Sequence, residues 1–173
     1  MAAGWSIEKI QTAIGINIPV VRMMPNTPAL IGKGMIAIAA SKEVTADKIA
    51  ELENLLGGAG IVDKLEERYM DAVTGLSGSG SAFVYLFIEA LVEGGVKAGL
   101  PMDKALNYAA QTVFGAAAMV KETGKQPDEL RAMVTSPNGT TLAGLKALEE
   151  GDFRAIAARA VEAAWKRAIE LGS

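Results

Sequence analysis

The chain has 173 residues, a formal charge of −3, no cysteine and no histidine. Those absences exclude disulfides, cysteine nucleophiles, histidine general bases and nearly all zinc chemistry. The dispersed Lys and Arg of a mildly acidic chain argue against nucleic-acid binding. Half of the residues are hydrophobic but only 5% are aromatic, and 19 are glycine. That mix suits closely packed helices around a real core in one or two domains.

In chain order, Ser6 is placed to cap a helix through Ile14, with Ile7, Ile10 and Ile14 on one face and Gly15 to stop it. Pro19-Val20-Val21-Arg22-Met23 reads as a buried strand ending at a Pro25 turn, and Met35 to Ala40 as a second strand. Thr45 is placed to cap a helix through Leu56 that turns Ile49, Leu52, Leu55 and Leu56 inward. The run Gly57-Gly58-Ala59-Gly60 ends it, and Ile61-Val62 forms a short strand.

From Glu66 onward the pattern is helical. One short helix is predicted from Glu66 to Val73 and a long apolar one from Ser79 to Ala98. Met102 to Thr123, Pro127 to Val134, Thr141 to Glu150 and Asp152 to Leu171 follow, with Gly99, Pro101 and Gly124 as punctuation. The fold is therefore predicted as mainly α: an α/β segment over 1–64 and an all-helical domain over 65–173. The longest strongly apolar run, Ala82 to Ile88, stops at Glu89. It is far shorter than the roughly 20 residues that span a bilayer. No secretory signal is visible at the start, and a cysteine-free chain fits a cytoplasmic location. Alanine dominates the stripes of the 102–123 helix and the last two helices. Small side chains let helix axes approach closely and often meet a second chain.

The chemistry concentrates in Thr135-Ser136-Pro137-Asn138-Gly139-Thr140-Thr141, directly before an apolar helix. Unpaired N–H groups and the dipole at a helix start attract small anions such as carboxylates. Gly139 permits close approach of backbone to ligand, and Thr141 offers a hydroxyl to a second group on it. The plain alternative is a helix start capped by its own Ser or Thr. Two more segments stand out: Asp71 to Phe83, with Thr74-Gly75-Leu76-Ser77-Gly78-Ser79-Gly80 inside it, and Met24-Pro25-Asn26-Thr27-Pro28-Ala29-Leu30.

These three segments, in this order, together with Glu89 to Val96 and Ala109 to Val113, resemble pyrroline-5-carboxylate reductases over nearly the whole chain. The resemblance implies hydride transfer from NADPH or NADH to the C=N carbon of a cyclic imine, giving proline in proline biosynthesis. Such chemistry needs no histidine, because the cofactor carries the hydride. By the same resemblance Thr141 contacts the ring nitrogen, and Ser136, Gly139 and Thr140 hold the substrate carboxylate. Asn26 and Thr27 lie at the nicotinamide end of the cofactor, although a plain turn between strands is an equal reading of Pro25 to Pro28. Ser77 to Gly80 are expected to serve packing and capping.

The resemblance further implies that residues 1–64 are the tail of a Rossmann-like dinucleotide-binding domain, and that 65–173 bind substrate and interleave in a homodimer or higher homo-oligomer. No glycine-rich G-x-G-x-x-G turn lies between a strand and a helix, so roughly a hundred residues of the cofactor-binding half are expected to be absent. The cofactor site is then incomplete and the chain alone inactive. Neither a metal nor a membrane is called for. A different class remains open, a non-catalytic dimeric helical module that binds carboxylates or assembles with a partner. Two positions depart from the family pattern: Asn138 where Gly is usual and Ser81 where Pro is usual. Asn tolerates a left-handed backbone, so the loop shape is expected to survive.

Overall fold

The computed structural model describes residues 5–172. The chain packs as two compact units, one holding residues up to Phe83 with those from Ala158 on, the other Val84–Ala157. The change of pattern expected at 64/65 falls inside the first unit.

The first unit is built around a three-stranded sheet in the order β1-β2-β3. Strand β1 (Val21–Pro25) runs antiparallel to β2 (Gly34–Ala40), from Val21↔Ala40 to Pro25↔Ile36. Strand β3 (Gly60–Lys64) runs parallel to β2, from Gly34↔Gly60 to Ile38↔Lys64. β2 is apolar at every position after its glycine because both of its faces are covered. Ile36 and Ile38 pack on Ile49 of α2 (Ala46–Leu56), while Ala37 and Ala39 pack with Met24 and Met70. The strand predicted over Pro19–Met23 begins and ends two residues later. Its pairing still reaches back to Val20, whose carbonyl accepts from Ser41 N at 2.9 Å.

Helix α1 (Ile7–Ile14) starts where predicted, with Ser6 Oγ accepting from Lys9 N at 3.1 Å. Thr45 caps α2 through Lys48 N at 3.4 Å. The expected inward set of α2 is corrected at Leu55, which is 79% exposed. Ile49, Leu52 and Leu56 stand at i, i+3 and i+7 and form the stripe, and Leu55 lies off it.

The single helix predicted over Glu66–Val73 is also corrected. A 3-10 turn (Glu67–Tyr69) leads into α3 (Met70–Val73) and then a π-helical turn, Thr74–Gly78. The wide turn is closed by Ser79 N donating to Thr74 O at 2.9 Å, and Thr74 Oγ1 donates to Met70 O at 2.8 Å. Gly75 lets α8 (Phe153–Gly172) lie directly against this turn. A Cβ on Gly75 would stand 2.8 Å from Trp165 N and 2.9 Å from Val161 O, both backbone atoms of α8. The helical run Glu67–Lys97 is therefore longer than expected. By length and composition alone it would cross a membrane, with 11% of its most apolar window buried within this chain.

Among the described residues, Arg22 is the buried ionic group of this unit, 9% exposed. Its Nη2 lies 2.7 Å from Asp71 Oδ1 and its Nη1 3.7 Å from Glu67 Oε1. That same Glu67 oxygen accepts from Ile7 N at 2.7 Å, at the electropositive start of α1. One arginine thus ties β1, α1 and the 67–73 segment together.

The second unit holds most of α4 (Gly80–Lys97), then α5 (Met102–Thr123), α6 (Pro127–Met133), α7 (Thr140–Glu150) and the start of α8. Its buried cluster is Val92, Ala105 and Ala109, with Ile88 against it. Phe87 and Phe153 pack with ring centroids 5.7 Å apart. A capping box starts α6, where Gln126 N donates to Glu129 Oε2 at 3.0 Å. Tyr85, Leu86, Leu106, Tyr108, Phe114 and Met133 all stay exposed.

Candidate active site

In the second unit the loop after α6 turns sharply at Ser136–Gly139, where Gly139 N donates to Ser136 O at 3.1 Å. Asn138 takes φ +58, the left-handed conformation the sequence reading anticipates. Gly139 then serves as N-cap of α7 with no side chain capping it. The first bond of the helix runs from Ala143 N to Gly139 O at 3.3 Å. The N–H groups of Thr140, Thr141 and Leu142 precede that bond. A helix start capped by its own Ser or Thr is thus not what is observed. Instead the turn presents free N–H donors, with Ser136, Thr140 and Thr141 exposed around them.

Gly139 sits close against Ser136. A Cβ there would fall on Ser136 Oγ and stand 3.2 Å from Ser136 O. The turn therefore holds the Ser136 hydroxyl directly over the Gly139 Cα, facing the helix start. Backbone N–H donors, a serine hydroxyl, partial positive charge from the dipole, and Thr141 one residue into the helix form an arrangement that could receive a carboxylate.

In the first unit Asn26 stands where β1 leaves the sheet. Its backbone N donates to Met35 O at 3.3 Å and its Oδ1 accepts from Met35 N at 2.9 Å. Its Nδ2 donates to Ser77 Oγ at 3.4 Å. Thr27 is exposed and opens a 3-10 turn, Thr27–Ile31. Sequence reasoning assigned Asn26 without its partner and gave Ser77 a packing role. The two are 51 residues apart, and no local pattern joins them. The Arg22 network was also missed, although an arginine between Val20 and Met24 on the inward face of a strand is a visible signal.

The sheet fragment, the uncapped turn and the half-covered helices together define a class: the end of a dinucleotide-binding sheet leading into a helical dimerisation region. A family described as "Pyrroline-5-carboxylate reductase dimerisation" matches residues 67–171. The pyrroline-5-carboxylate reductase of Glycine max is 48% identical over 99% of this chain, and that of Synechocystis is 48% identical over 98% of it. The chain spans 62% and 63% of the lengths of those two relatives. Among solved structures, the Plasmodium falciparum pyrroline carboxylate reductase with NADP bound superposes with a TM-score of 0.93 at 36% identity, covering 99% of this chain and 69% of that one. The Coxiella burnetii enzyme gives 0.92 at 36% identity, with 99% and 64% covered. The chain belongs to the pyrroline-5-carboxylate reductase family.

Proposed function

We propose that this chain is the substrate-binding and dimerising portion of a pyrroline-5-carboxylate reductase. The observation that carries the reading is the uncapped N-terminus of α7 behind the Ser136–Gly139 turn. In this reading Ser136, Gly139 and Thr140 hold the substrate carboxylate, chiefly through backbone N–H groups. Thr141 is the catalytic residue, its hydroxyl oxygen accepting from the N–H of the protonated imine. A protonated imine is already an electrophile, so orientation and one hydrogen bond are what the protein must add.

When bound, NADPH or NADH supplies the hydride. The residues present fit only one end of such a cofactor. Asn26, Thr27 and the sheet that carries them suit the nicotinamide end, and no G-x-G-x-x-G turn is present for the pyrophosphate. The chain alone therefore reduces no imine in this account. Residues 1–64 serve as the tail of the dinucleotide-binding domain and 65–173 as the domain that binds substrate and pairs with a second copy. The apolar surface left uncovered on the second unit supports the homodimer over a monomer, and it gives the exposed face of Glu67–Lys97 a protein rather than a lipid partner. We place the protein in the cytoplasm.

Calorimetric titration with L-proline, the product, tests the carboxylate site. Saturable binding by the chain, abolished by shortening the loop and weakened about fivefold by Thr141→Val, is expected from the loss of one hydrogen bond. Equal binding by both variants would remove the Ser136–Thr141 loop from the site.

A further inference from the structure

Building on that reading, we propose that Ser77 is a cofactor-contacting donor and that Asn26 is the positioning residue that aims it. Asn26 is tied to Met35 twice, its backbone N–H donating to Met35 O and its Oδ1 accepting from Met35 N–H, and since that N–H requires the side-chain carbonyl oxygen, the NH2 group turns toward Ser77. A serine hydroxyl has one proton and two lone pairs. Asn26 Nδ2 fills one lone pair, so the Ser77 proton is directed away from Asn26. Among the described residues that proton meets no acceptor.

Its surroundings are built for a fixed distance. Ser77 lies in the π-helical turn, a geometry that recurs at functional sites. Its neighbour Gly78 brings that turn against β1, where a Cβ would come within 3.3 Å of Met24 Sδ. The turn is therefore seated by packing, and the Asn26 bond only sets where the hydroxyl points. A half-buried O–H donor beside the strand end that carries Asn26 and Thr27 suits the carboxamide oxygen of reduced nicotinamide.

The test is titration of the chain with reduced nicotinamide mononucleotide, which needs no pyrophosphate-binding turn. Asn26→Asp is the informative variant: its carboxylate keeps the bond from Met35 but takes the Ser77 proton for itself. Asn26→Asp and Ser77→Ala should each weaken binding about fivefold, the effect of one neutral hydrogen bond. The double variant should be no weaker than either single one, because both remove the same donor. Ser77→Thr, which keeps the hydroxyl, should bind like the wild type. Thermal midpoints and L-proline affinity should stay level throughout. Retained proline binding with no mononucleotide binding, or with binding that ignores these substitutions, overturns this inference alone. A lower thermal midpoint with unchanged mononucleotide affinity reduces Asn26 to a structural role. Loss of proline binding by the wild type would instead fail the functional reading beneath it.

Discussion

At Gly139 an added methyl would crowd the turn proposed to hold substrate. Gly139→Ala drives a Cβ into the Ser136 hydroxyl while leaving α7 free to form. We expect about a tenfold loss of L-proline affinity with unchanged helix content by circular dichroism. Asn138 is held at φ +58, where a β-branched side chain is badly strained. Asn138→Val should therefore lower stability by about 1–2 kcal/mol in urea unfolding, whereas Asn138→Gly should leave proline binding intact. The proline, glycine and hydroxyl spacing of this loop was legible in the sequence because turn chemistry is local. The Asn26–Ser77 bond was not, because it depends on how a strand end meets a helical turn far along the chain.

Among the elements, the π-helical turn was the feature least legible in advance. Its residues read as a helix followed by a small-residue turn, and the packing of α8 across Gly75 is a contact no local pattern shows. Gly75→Ala has no flexible side chain to push aside, because the nearest atoms are backbone. We expect it to cost about 1–3 kcal/mol, the usual range for overpacking, measured by chemical denaturation. The strands were easier. β2 is a continuous apolar run because both faces are covered, and its position follows from that run alone. Leu55 was misplaced because a leucine-rich stretch does not show which of its members the sheet will face.

The junction after α1 responds to acid. The Glu43 carboxyl is held below its ordinary 4.5, first by the Ser41 hydroxyl, then by its own backbone N–H and by Asn17 and Gln11. Asn17 Nδ2 reaches it at 3.1 Å and Gln11 Nε2 at 3.3 Å. Because folding favours the ionised form, the tie is complete above the unfolded carboxylate pKa and is lost as pH falls through the lower folded value. Amide exchange around residues 15–18 should accelerate, relative to the rest of the first unit, as pH drops through that window. Glu43→Gln should flatten this dependence.

On the scale of the whole molecule, sequence patterning gave the mainly helical class and the small-residue stripes. What patterning could not convey is how little of the Val84–Ala157 unit is buried, since burial depends on which faces meet. In the proposed dimer, a unit with Val92, Ala105 and Ala109 as its buried cluster would gain stability from a second copy. Its thermal midpoint should therefore rise with chain concentration, and sedimentation should show a dimer at micromolar levels. A concentration-independent monomer would leave its apolar surface unexplained.

The central claim is that this chain supplies the substrate half of a reductase, and NADPH oxidation tests it most directly. The chain alone and the chain joined behind the portion of the Synechocystis relative that it does not span would each be given pyrroline-5-carboxylate and NADPH. The account predicts no turnover by the first and proline formed in step with NADPH consumed by the second, with Thr141→Val slowing that rate. A joined protein that folds and dimerises yet oxidises no NADPH would contradict it.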